Sequence, residues 1–179
     1  MRTRSLAAPL LSFAALPLLV VGGASAVSAA AAEAAVHRDA TGDAVEHVDI
    51  KQVTTSVVGR ADSRLRVVVE FAGTQRGGDH TAMYFDLNRE NRGPELRMSG
   101  SVDSENSLMR VDGWTDPGRE FDCDYRFGQN RATTAITAEI DLDCLGNRPV
   151  RFEVRTIAVD SPSSDWLGEK RRFTTYRAG

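Results

Sequence analysis

The chain holds only two cysteines, Cys123 and Cys144, and three histidines, His37, His47 and His80. It has no Gly-x-Ser-x-Gly elbow, so a serine nucleophile lacks its strand-to-helix setting. It has no His-Glu-x-x-His pair, and without a third cysteine a Cys-based zinc site is ruled out. No segment carries the periodicity of a long helix, so the helical crossovers of a parallel α/β sheet are not available. There are no internal repeats, and low complexity is confined to the alanine-rich first residues. These absences lean against an enzyme. They leave open one catalytic arrangement, a pair of carboxylates distant in sequence that meet in space to cleave a glycosidic bond.

What is present at the front is a targeting pattern. Arg2 and Arg4 precede an apolar run, Leu6–Val21, followed by Gly22-Gly23 and small residues such as Ala24-Ser25-Ala26 and Val27-Ser28-Ala29. This order of charge, apolar run and small residues marks residues 1–32 as a secretory signal peptide. The run is interrupted by Pro9, Ser12 and Pro17 and falls short of the roughly 20 residues that span a bilayer. There is no twin arginine, no cysteine after the run to carry a lipid, and no apolar tail in Thr174–Gly179. The expected destination is free release outside the cell, with no membrane span in the mature form.

Removal of the signal leaves 20 basic residues against 25 acidic ones. With signs scattered and the balance acidic, the chain lacks the basic stripe of a nucleic-acid binder and the charge that holds proteins to anionic lipid. The mature length of about 145–150 residues suits one domain with a real core. The expected division is a signal at 1–32, a lead-in at 33–44 and a single sandwich domain at 45–179. In an exported chain Cys123 and Cys144 are expected to pair, and as a disulfide neither can act as a nucleophile.

The mature segment reads as strands and turns. Leu65, Val67, Val69 and Phe71 alternate with more polar residues, the period-2 pattern of a half-buried strand. Met83, Phe85 and Leu87 share a phase, as do Val150, Phe152 and Val154. Val48 and Ile50 lie in one phase and Val53, Thr55 and Val57 in the other, which predicts a β-bulge or a bend between sheets. Thr115-Asp116-Pro117-Gly118 has turn chemistry. Asp160–Lys170 reads as a loop. The sum is an all-β, antiparallel β-sandwich of immunoglobulin-like or jelly-roll type, with about nine strands and one disulfide. Within 121–146, a hairpin with its turn at 128–131 would set Cys123 opposite Ile136. Cys144 would then overshoot its partner, so the chain is expected to fold back after Asp141 in a helical turn ended by Gly146.

Asp39-Ala-Thr-Gly-Asp43, Val48-Asp-Ile50, Phe85-Asp-Leu-Asn88, Gly93-Pro94-Glu95 and Cys144-Leu-Gly146 with Pro149 together resemble uncharacterised secreted β-sandwich proteins common in actinomycetes. The resemblance implies a sandwich and a structural disulfide, and no activity. The layout is more distantly similar to carbohydrate-binding modules.

Three constellations are candidate sites. Asp86, Asn88 and Asn91 lie where a strand enters a loop, and their oxygens suit a hard cation such as Ca2+. The match to an EF-hand loop is poor, and Asn and Asp there also serve as turn formers. Asp39, Asp43 and Asp49 form a second acidic group. Trp166, with Asp160 and Asp165 nearby in sequence, and Trp114 are candidate platforms for a sugar ring or a protein partner, or else covers for the ends of the sandwich. The favoured function is a secreted, non-catalytic binding or interaction module for an unidentified extracellular ligand, with a glycan or a cell-surface protein as the candidates. A small extracellular hydrolase using loop carboxylates is one alternative. A protease-inhibitor-like protein that presents Asp160–Lys170 is another. No cofactor is expected to be required, and Ca2+ is the one candidate ion.

Overall fold

The structure is a computed structural model that describes residues 34–59, 62–129 and 134–176. The signal segment lies outside the described residues. So do Arg60 and Ala61 of the turn after Val58, and Asn130 and Arg131 of the expected hairpin turn.

Two antiparallel sheets form the sandwich. One has five strands in the order β1-β2-β3-β9-β8. These are β1 (Ala35–Arg38), β2 (Ile50–Val58), β3 (Arg64–Phe71), β9 (Ala135–Asp141) and β8 (Tyr125–Gly128). The other runs β11-β10-β4-β5-β6-β7, with β12 also paired to β10. Its strands are β4 (His80–Asp86), β5 (Leu96–Ser101), β6 (Ser107–Arg110), β7 (Arg119–Glu120), β10 (Val150–Ile157), β11 (Ser164–Trp166) and β12 (Thr174–Tyr176). Among the described residues no helix is long and apolar enough to cross a membrane.

The alternation seen in the sequence builds the core. Leu65, Val67, Val69 and Phe71 of β3 and Ile136, Ala138 and Ile140 of β9 face Met83 and Phe85 of β4 and Val150, Phe152 and Val154 of β10. Each large apolar side chain taken out of water contributes about 1.5–3 kcal/mol. The expected bulge is present in β2: Ile50 pairs with Phe71 and Gln52 with Glu70, which leaves Lys51 without an opposite residue. The extra residue moves the buried phase from Ile50 to Val53. Gly118 has φ +82°, and a Cβ there would lie 2.9 Å from the Arg110 carbonyl oxygen, so the turn after Pro117 requires glycine.

Among the described residues there are twelve strands where about nine are expected from turn signals. Two of the additions correct the reading of loops. Ala35–Arg38, taken as part of the lead-in, pairs with β2. Ser164–Trp166, taken as loop, pairs with β10. Both are edge strands of three or four residues, too short to show a periodicity.

The hairpin register also needs correction. Gly128 pairs with Thr137 and Tyr125 with Ile140, and the Asp141 amide donates to the Asp124 carbonyl. Cys123 therefore runs on toward Leu142, not Ile136, because the connection is wider than the four residues counted. Cys144 sits just beyond, in a 3-10 turn, Asp143–Leu145. As expected, that turn ends at Gly146 in the left-handed conformation, φ 75°. The disulfide Cys123–Cys144 joins Cα atoms 6.2 Å apart.

Candidate functional site

Strand β4 turns Met83 and Phe85 inward, so Ala82, Tyr84 and Asp86 emerge on the outer face of the seven-stranded sheet. Arg151, Glu153 and Arg155 of β10 stand opposite them in register. This face carries a second apolar cluster. Tyr84 and Trp166 stack with centroids 6.1 Å apart, and Trp114 contacts both, at 5.1 and 5.6 Å. Phe173 stacks on Trp114 at 4.9 Å. Trp166 is 9% exposed and forms the floor. Trp114 and Phe173 are half-buried and form the accessible rim. The Arg155 guanidinium lies over Trp166 and that of Arg151 over Phe173, the geometry of cation–π attraction.

Two polar grooves adjoin this cluster. Arg151 is paired with Asp86, and Asp86 opens into a groove of about 410 Å3 with Asn88, Arg89, Glu90 and Arg148. The loop that carries Trp114 supplies Asp112 and Asp116 to a groove of about 470 Å3, completed by Glu95, Arg110 and Arg119. Burial pushes the Asp86 carboxyl above its ordinary range, while the Arg151 charge opposes this. The loop after β4 is held by Glu95, whose Oε2 accepts from the amides of Leu87 and Asn88 at 2.5 and 3.2 Å. Asn88 Oδ1 accepts from the Glu90 amide, and the Asn91 amide donates to the Asn88 carbonyl. Asp86 and Asn88 are thus tied to Arg151 and to the turn, and Asn91 is exposed.

The acidic residues gather elsewhere. Ligand oxygens of Asp43, Asp49 and Asp165 lie within 4.8 Å of one another. Asp43 comes from the bend after β1, Asp49 immediately precedes β2, and Asp165 is the middle residue of β11. This is where the β1 edge of one sheet approaches the β11 edge of the other. Inter-sheet hydrogen bonds fix the approach: the Ile50 amide donates to Asp165 Oδ2 at 2.6 Å, and Thr156 Oγ1 to the Val48 carbonyl at 2.5 Å. Burial raises the Asp165 carboxyl to about 6, Asp39 and Asp43 add repulsion, and the Ile50 and Trp166 amides oppose the rise. Asp39 is raised likewise, first by burial and then by Asp43 and Asp49.

The histidines do not share one site. His37 packs edge-on against Phe152. His80 lies on the outer face, and burial with Arg97 and Arg155 nearby lowers its pKa. His47 is held between Asp79 and Asp160, at 3.4 and 3.6 Å, and Asp160 also pairs with Arg76.

The structure thus brings Trp114 and Trp166 into one cluster. It joins Asp43 and Asp49 to Asp165, which the sequence had grouped with Asp160. Tyr84, Phe173 and Arg151 are additions to the candidate surface. For Tyr84 and Arg151 the signal was the outward phase of β4 and β10, where aromatic and charged residues alternate with core positions, and only the pairing of the two strands makes them neighbours; Phe173, in the loop before β12, carried no such signal.

The fold and these surfaces define an all-β sandwich with an aromatic patch on one sheet face and an acidic corner between two edges. No protein-family model matches the chain, and no curated protein matches it.

Proposed function

We propose that the protein is a secreted, non-catalytic binding module that recognises a glycan on the outer face of the seven-stranded sheet. The observation that carries this reading is the half-exposed Trp114–Phe173 stack beside two polar grooves. A sugar ring offers an apolar face to an aromatic side chain and hydroxyls to carboxylate, amide and guanidinium groups around it. Trp114 and Phe173 supply the first need. Asn88, Glu90 and Arg148 supply the second on one side, and Asp112 and Asp116 on the other. The buried partners Tyr84 and Trp166 hold the rim rings in place, so little side-chain entropy is lost on binding. The signal-peptide pattern of residues 1–32 and the disulfide accord with work outside the cell.

The test is retention on insoluble cell-wall and plant polysaccharides, followed by a glycan array. The wild-type chain is expected to bind at least one polysaccharide class. Trp114→Ala is expected to weaken that binding about tenfold or more, the loss of a ring stack worth about 1–2 kcal/mol, while circular dichroism stays unchanged. Retention that is equal for the two proteins, or absent across the panel, removes this surface as the recognition site.

A further inference from the structure

We propose that Asp43, Asp49 and Asp165 form a Ca2+ site that clasps the edges of the two sheets. Three oxygens ligating one calcium at 2.3–2.6 Å can lie no farther apart than about 5 Å, and here they lie within 4.8 Å. The donor set is all carboxylate, the hard chemistry that suits Ca2+ and not Zn2+.

A separate observation points to a ligand. Asp49 is 2% exposed, and its Oδ1 is buried with no hydrogen-bond partner. Its other oxygen, Oδ2, accepts from the Gly42 amide at 2.6 Å. That bond draws the 41–44 bend, and Asp43 with it, over the carboxylate. Asp165 is 5% exposed, and its two oxygens already accept from Ile50 and Trp166 amides. Among the described residues, no lysine, arginine or histidine forms an ion pair with any of the three. A buried carboxyl oxygen with neither a donor nor a counter-charge is costly. A divalent cation supplies both.

The consequence is mechanical. Asp43 and Asp49 belong to the segment between β1 and β2, and Asp165 to β11. A shared ion would cross-link the two sheets at their common edge and fix the strand that ends in Trp166. The proposal does not depend on glycan recognition, since its readout is the ion itself.

The experiment is calorimetric titration of the EDTA-treated, refolded chain with CaCl2, and with MgCl2 in parallel, together with thermal unfolding at 10 mM of each salt. One Ca2+ per chain is expected with Kd on the order of 0.1 mM, in the range of extracellular modules, and with weaker Mg2+ binding. Unfolding is expected about 8 °C higher in calcium. Asp49→Asn and Asp43→Asn are expected to weaken binding at least about tenfold and to cut the shift at 10 mM to about half or less. Asp43 is exposed, so its variant keeps the fold and carries the test alone if Asp49→Asn does not fold. Asp122→Asn, an exposed carboxylate outside the cluster, is expected to bind as the wild type does. An absence of heat and shift in the wild type overturns the proposal. So does binding that survives Asp43→Asn or disappears with Asp122→Asn.

Discussion

Replacing both cysteines, as Cys123→Ser with Cys144→Ser, is expected to lower the midpoint of thermal unfolding by about 10 °C. The two residues are separated by 21 positions. Closing a loop of that size removes about 3 kcal/mol of conformational entropy from the unfolded chain, and a domain of this size shifts by about 3 °C per kcal/mol. The bridge also guards a vulnerable edge. Strand β8 has four residues and one sheet partner, β9. Beyond Tyr125 the chain leaves the ladder, and it is held there by the Asp141 amide donating to the Asp124 carbonyl at 3.2 Å and by the Arg64–Asp124 ion pair. On the other side, Leu145 is fully buried next to Cys144, so the cross-link anchors a frayed strand end to a core position. Unfolding of the oxidised protein and the double variant, followed by circular dichroism, reads the difference. A fall of less than about 3 °C would mean that the unfolded chain is already compact around this loop.

Glu153→Gln is expected to stabilise the protein by about 2 kcal/mol at pH 7.5, and not at pH 4. Glu153 is fully buried in β10, and neither carboxyl oxygen has a hydrogen-bond partner. Two of the amides beside it are engaged elsewhere: Leu167 donates to the Val154 carbonyl and Arg172 to that of Glu169, both at 3.0 Å. Burial is the main cause that pushes this carboxyl up to about 9, with backbone amides opposing and Asp39 adding repulsion. The folded protein therefore holds the proton at neutral pH, while the unfolded chain, with an ordinary value of 4.5, has released it. The stability tied to this group is complete below about pH 4.5. It declines as pH rises from there and levels off above about 9. An amide of the same shape does not titrate, so the variant escapes the decline. Its buried N–H donors return part of the gain, which is why the expectation is about 2 kcal/mol and not the larger figure the full shift implies. Unfolding of both proteins from pH 4 to 9 tests this; parallel curves would show that Glu153 keeps the same protonation state in the folded and unfolded chains.

Much of the fold was legible because the core obeys a local rule. Leu65 to Phe71 alternates so regularly that one buried face follows from residue type alone, and the phase change between Ile50 and Val53 announced the bulge at Lys51. The candidate sites were legible only in part. Trp114 and Trp166 stand out as the two tryptophans, yet nothing local says that they meet. Tyr84, between core residues Met83 and Phe85, looks like a third core aromatic until the strand's two faces are assigned. Asp165 read as a loop carboxylate because β11 is three residues long and Pro162 and serines precede it.

The sequence by itself determined what depends on neighbours along the chain: an all-β architecture, the inward phase of the long strands, the turn at Gly118 and the helical turn closed by Gly146. The tertiary structure decided what depends on pairing across the chain. Strand register is a relation between segments far apart, and a change in loop width moves every partner. That is why Cys123 lies near Leu142 and not Ile136. The same holds for the corner where Asp43 and Asp49 meet Asp165: two carboxylates arrive with one sheet edge, the third with the other, and only the packing of the sheets makes them one site.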